Sequence, residues 1–196
     1  ALGAVASETH YEAALADVAW YADNGYAEIK IYNSFNPDWV RPVAAEAHRR
    51  GLRVSGHVPA FSSPDRVIGD GYDAIAHINQ LALGWILDPA EDTRTPLRLT
   101  ALARAGTLDL ASPRVLKTIA LMKERGTSLD TTAVILELLM LSRAGERPSF
   151  ADGYFDHMPI AYQRFRKRSY VTLPDAAADK AYRDGFQKIL DIIALL

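Results

Sequence analysis

Three residues in the first half of the chain sit inside apolar runs where they are chemically out of place. The runs are Ala27-Glu28-Ile29-Lys30-Ile31-Tyr32, Leu52-Arg53-Val54-Ser55-Gly56-His57-Val58 and Asp73-Ala74-Ile75-Ala76-His77-Ile78-Asn79. The exceptions are Lys30, His57 and His77. A primary amine and two imidazoles are the groups of nucleophilic, proton-transfer and metal-ligand chemistry. Successive side chains of a strand point to opposite faces. If Ile29 and Ile31 face covering helices, Lys30 faces the other way, which in a barrel is the interior. An unpaired lysine buried there would cost roughly 4–7 kcal/mol for a shift of 3–5 pKa units. It needs a partner or a chemical task.

The spacing says what must position them. Lys30 and His57 are 57 − 30 = 27 residues apart, and His57 and His77 are 77 − 57 = 20 apart. Each gap holds a helix-like segment, the rhythm of strand–helix–strand units that pair strands in parallel. Each odd residue comes late in its run, and chemistry in (β/α)8 barrels collects at the carboxyl ends of the strands. The expected fold is α/β: a partial TIM (β/α)8 barrel of about four parallel strands alternating with helices.

The segments EIKIYNS, AHRRGLRVSGHVPAF and GYDAIAHINQ resemble the middle strands of the amidohydrolase superfamily, in its imidazolonepropionase-like and Xaa-Pro dipeptidase (prolidase)-like branch. The resemblance implies a metal-dependent hydrolase. Lys30, carbamylated by carbon dioxide, would bridge two divalent ions, Zn²⁺ by expectation, and His57 and His77 would be metal ligands. A metal-activated water would attack a C–N bond of a small amide, cyclic amide or short peptide. Tyr32 and Asn79, just past the implied ligands, would touch substrate. The family's His-x-His of strand one and aspartate of strand eight have no counterpart. Residues 1–196 therefore read as a single domain, the middle portion of such a barrel, expected to be inactive alone.

Two other readings stay open. A lysine in a βα barrel can form a Schiff base with a carbonyl substrate, as in class I aldolases. Alternatively the chain is a non-catalytic, barrel-derived assembly or binding domain, whose open edges would pair with another copy as a homo-oligomer. Each residue also has a plain alternative: Lys30 a surface lysine or a partner of Glu28, His57 and His77 hydrogen-bonded core histidines.

Composition bounds these readings. The 196 residues are 49% hydrophobic with a net charge of −2, which supports a sizeable core and gives no overall electrostatic pull toward nucleic acid or an anionic membrane. With no cysteine, thiolate ligands, disulfides and a cysteine nucleophile are excluded. No run reaches the roughly 20 apolar residues of a membrane span. The chain opens at Ala1 without a methionine or signal peptide, and nothing in it marks a compartment. No P-loop, GxGxxG or G-x-S-x-G occurs.

The remaining elements are read from periodicity and caps. Helices are expected over 7–25 (Thr9–Glu12 capping box, Gly25 stop), from Asn36-Pro37 to Gly51, from Ser63-Pro64, from Ser112-Pro113 to Gly126, over 154–168, and from Asp175 to Leu196. A fourth strand is expected over 128–134, with Asp130 and Thr131 near the cavity, followed by a helix over 134–143 buried on all sides. The stretch 79–97 reads as a substrate loop or a helical cover of the barrel rim. His10 and His48 are expected at the surface, and His157 is a weaker ligand candidate. The basic run Arg164-Phe165-Arg166-Lys167-Arg168 reads as a solvated helix end.

Overall fold

A computed structural model describes residues 11–196. Thr9, the expected first cap, and His10 lie outside the described residues. The order is α1 (Tyr11–Asp23), β1 (Glu28–Ile31), α2 (Val40–Arg49), β2 (Arg53–Gly56), α3 (Pro64–Gly69), β3 (Ala74–Ala76), α4 (Ile78–Ile86), α5 (Leu97–Thr100), α6 (Pro113–Arg125), β4 (Ser128–Asp130), α7 (Ala133–Leu141), α8 (Ile160–Arg166) and α9 (Ala176–Leu195), with 3-10 turns among them at Pro37–Trp39 and Ala101–Thr107.

The four strands are parallel and lie side by side in chain order. Helices cross over between them, and the order never reverses. That is the single winding of a (β/α)8 barrel segment, unlike the reversal of a doubly wound sheet. One face carries Ile29, Ile31, Val54 and Ile75, all buried. The other carries Glu28, Lys30, Arg53, Ser128 and Asp130, all exposed. Pairing sets Lys30 opposite Ser55, Ser55 opposite Ala74 and Ala74 opposite Ser128.

The caps act as their chemistry predicts. Asn36 accepts a hydrogen bond from the Asp38 amide and opens the turn that leads into α2. Ser63 Oγ accepts from the Arg66 amide at 3.2 Å, and the Asp175 carboxylate accepts from the Ala178 amide at 2.8 Å. Gly126 closes α6 in the left-handed region. α1 packs on α2, α3 on α4 and α6, and α9 on α7 and on Ala101–Thr107. Phe155, Ile75, Ile78, Leu102, Met140 and Ile189 are fully buried.

Several expectations are corrected. The fourth strand stops at Asp130, because Thr132 takes a left-handed conformation (φ +44°) and α7 begins at once. α7 is not buried on all sides: Leu136 and Met140 face the core, while Val134 and Ile135 are about half exposed. Pro159 splits 154–168 into a short 3-10 turn and α8. The stretch 79–97 is divided between α4, which ends at Ile86, and a longer loop that leads to α5. Among the described residues no helix is long and apolar enough to cross a membrane.

Candidate functional site

The carboxyl ends of the strands bring Tyr32, Lys30, His57 and His77 together. Lys30 Nζ lies 5.3 Å from the centroid of the Tyr32 ring. The Tyr32 and His57 rings are 4.7 Å apart, and the His57 and His77 rings 4.9 Å apart at a steep angle. Lys30 is exposed on the open face of the sheet rather than buried, which corrects the expectation of a desolvated amine. Its charge has no ion pair among the described residues; Glu28, the plain alternative partner, instead accepts a hydrogen bond from Ser55.

Each imidazole is held by a backbone device. His57 follows Gly56, whose φ of +144° and close approach to Ile31 leave no room for a side chain. The His57 amide donates to the Ile31 carbonyl at 2.8 Å, and its carbonyl accepts from the buried Tyr72 hydroxyl at 2.9 Å. The Gln80 amide oxygen, itself buried, accepts from the Val58 amide at 3.1 Å. His57 is thereby gripped from both sides, yet its Nδ1 is buried without a hydrogen-bond partner.

His77 is not a strand residue. It caps the start of α4 with φ +74°. Strand alternation alone would turn it toward the helices, because Ala76 shares its face with His57. The positive φ re-aims the ring to the His57 side. Its amide donates to the Asp130 carbonyl at 2.7 Å, and its Nδ1 lies 2.7 Å from Thr132 Oγ1. His77, Thr132 and Phe61 are the described non-glycine residues with positive φ, and all three follow strands at this end of the sheet. Backbone strain of this kind costs of order 1–3 kcal/mol per residue and collects at working sites.

The electrostatics follow the burial. Burial first, then the charges of His77, Lys30 and Arg98, push the His57 imidazole down to about 4. His77 is also lowered, by burial and then Lys30, against an opposing pull from Asp130. Both rings are therefore neutral near pH 7.

Of the residues singled out in the sequence, Lys30, His57, His77 and Tyr32 are brought together. Asn79 lies in the first turn of α4, half buried, with no side-chain hydrogen bond among the described residues. Asp130 acts on His77 through its charge. His48 pairs with Asp73 at 2.9 Å, and His157 is exposed, away from the cluster. Thr132, Tyr72, Gln80 and Arg98 were not foreseen. Gln80, which with Asn79 interrupts the otherwise apolar run Ile78–Ile86, was the one with a visible mark in the sequence.

The fit to a metal centre is partial. Two neutral imidazoles are two ligands, and Lys30 adds a third only as an anionic carbamate. Zn²⁺ sites ordinarily take three or four protein ligands. No cluster of three His, Cys, Asp or Glu side chains suited to a metal occurs among the described residues.

No family model matches the chain, and no curated protein matches it. A similar solved structure is a protein from Coccidioides immitis, provisionally described as a fructose-1,6-biphosphate aldolase. It shares 17% identity over 96% of this chain and 66% of its own length, with a TM-score of 0.29. The chain thus spans just under two thirds of that protein, and a likeness so slight carries no argument about activity. The amidohydrolase resemblance drawn from the sequence has no counterpart in these comparisons, where neither a family model nor a curated protein carries it and the similar structure is described as an aldolase. The amidohydrolase assignment and the zinc hydrolase expected from it are withdrawn.

Proposed function

We propose that this is an enzyme of the βα-barrel type in which Lys30 forms a Schiff base with an aldehyde or ketone. The observation that carries the reading is the company Lys30 keeps. It is a primary amine without a carboxylate partner, beside two imidazoles whose environment keeps them neutral and whose pKa values both respond to its charge. In the step, the neutral amine attacks the carbonyl carbon, a C–N bond forms, and the oxygen leaves as water once protonated. One proton must leave the ammonium first. A neutral imidazole of the pair His57 and His77 is the fitting acceptor. The Tyr32 ring flanks the amine and would face the substrate carbon chain.

A second reading keeps Lys30, His57 and His77 as ligands of a divalent cation, favoured by His57 Nδ1, which is buried without a hydrogen-bond partner. It requires Lys30 as the carbamate, because an ammonium repels a cation.

Borohydride trapping separates the two. The chain is incubated with pyruvate and sodium borohydride, digested and mapped by mass spectrometry. The expected result is a reduced adduct at Lys30 well above that at the exposed Lys117 and Lys123, absent in Lys30→Arg. Equal labelling of the three lysines refutes the Schiff-base reading. Bicarbonate-dependent binding of a divalent metal, lost in the same variant, would then support the second.

A further inference from the structure

α8 and the residues after it present a face that the Lys30 site does not use. Positions 160, 161, 164, 165 and 168 are exposed, while 162, 163 and 166 are half buried. Within α8, positions 160, 161, 164 and 165 share one face at helical spacing, and Arg168, just past the helix end, lies against Phe165 of that face. The face carries Ile160, 60% exposed, and Phe165, 50% exposed, with Arg164, Arg168 and the neighbouring Lys167, and no carboxylate.

These cations differ in their partners from the arginines of three other helices. The arginines of α2, α3 and α9 are all in ion pairs. Arg164, Arg166, Lys167 and Arg168 have none among the described residues. Three of the four sit on rings instead. The Arg168 guanidinium is 3.9 Å from the centroid of Phe165 and 4.5 Å from that of Tyr170. Arg166 lies 5.0 Å over Tyr162, and Lys167 5.6 Å over Phe155. Seating on a ring orders a charged side chain before any partner arrives, which lowers the entropy lost on binding.

We propose that this face docks on an anionic lipid bilayer, with the cations against the headgroups and Ile160 and Phe165 at the edge of the acyl region. Charge complementarity selects an anionic surface. The apolar side chains on the same face select a bilayer, because apolar and basic groups side by side match the zone between headgroup and hydrocarbon. An acidic protein segment would leave Ile160 and Phe165 without a role. Single-stranded nucleic acid needs open aromatic faces for stacking, and Arg168 already lies over Phe165 and Tyr170.

The test is sedimentation of the full chain with vesicles of phosphatidylcholine, with and without phosphatidylserine, at low and high salt. Binding should require phosphatidylserine and fall with salt. Each cation near such a surface contributes a factor of about five, so Arg164→Gln with Arg168→Gln should weaken binding roughly 25-fold. Phe165→Ser should weaken it while leaving the salt dependence in place. Circular dichroism checks that both variants remain folded, and neither touches the Lys30 site. No binding to anionic vesicles at low salt, equal binding to neutral ones, or a preference for polyglutamate or single-stranded DNA would overturn the proposal.

Discussion

Gly56 is the residue on which β1, β2 and the candidate site depend together, and Gly56→Ala tests that dependence. A Cβ at this position would lie 2.0 Å from the Ile31 carbonyl oxygen, where ordinary contact begins at 3.4 Å. β1 would have to move away by about 1.4 Å, the difference of those distances. That would stretch the bond from the His57 amide to the Ile31 carbonyl, now 2.8 Å, well beyond hydrogen-bonding range. Its loss costs about 1 kcal/mol. Forcing a side chain to φ +144° adds about 1–3 kcal/mol. The sum, about 2–4 kcal/mol, is large for one methyl group. With an m-value of about 2 kcal/mol/M, the urea midpoint should fall by about 1–2 M. Gly25→Ala is the control. It also has a positive φ, +76°, but nothing lies within 4 Å of the added Cβ, so only backbone strain of about 1–2 kcal/mol remains. If the two variants lose the same stability, the close approach of Gly56 to Ile31 is not what holds these strands in register.

Two further outcomes follow from the charges at the site. Replacing Lys30 by Met removes a positive charge from both rings, so the His57 and His77 titrations, followed by NMR, should both move upward; burial, the larger cause, keeps them below 6.5. No movement in either would mean that Lys30 does not share their cavity. In the second, stability itself should depend on His57 protonation. The folded pKa is about 4 against 6.5 unperturbed, so the unfolded chain takes up the proton first as pH falls. The stabilisation is complete above 6.5 and is lost between 6.5 and about 4. The full shift of about 2.5 units corresponds to about 3 kcal/mol, which solvent at the ring edge reduces to about 1–2 kcal/mol. Urea titrations of the wild type and His57→Gln at pH 7 and pH 4 should show that much extra loss in the wild type, and equal losses would sink the argument.

Much of this architecture was legible in the sequence. Where one residue's chemistry fixes a boundary, the expectation held: Asn36, Ser63 and Asp175 as caps, Gly126 as a stop, and the alternation of Ile29, Lys30 and Ile31. What could not be read was set by partners far along the chain. His77 was placed in a strand because Ile75 and Ile78 flank it. Its φ of +74° depends on hydrogen bonds from 77 and 78 to carbonyls of Asp130 and Thr131, some fifty residues on. Thr132 was hidden for the same reason, since its run of β-branched neighbours looks like strand and its left-handed backbone is a tertiary demand. Lys30 was read on the correct face, but its exposure depends on how the sheet is covered, which periodicity does not encode. Val134 and Ile135 show the converse, since an apolar run does not say how many neighbours will arrive to bury it.

The spacing of the paired strands along the chain also bears on the order of folding. Paired residues are separated by 55 − 30 = 25 positions between β1 and β2, 74 − 55 = 19 between β2 and β3, and 128 − 74 = 54 between β3 and β4. Closing the longest of these loops costs about 0.9 kcal/mol more than closing the shortest. The β1–β2–β3 unit can therefore nucleate from nearby chain, and β4 joins it late. The two imidazoles fall on opposite sides of that divide. His57 is set when the early unit forms, whereas His77 takes its strained backbone only once Asp130 and Thr132 have arrived. The pair is assembled by the last strand to dock, so the chain completes its candidate chemistry only when the whole sheet is in place.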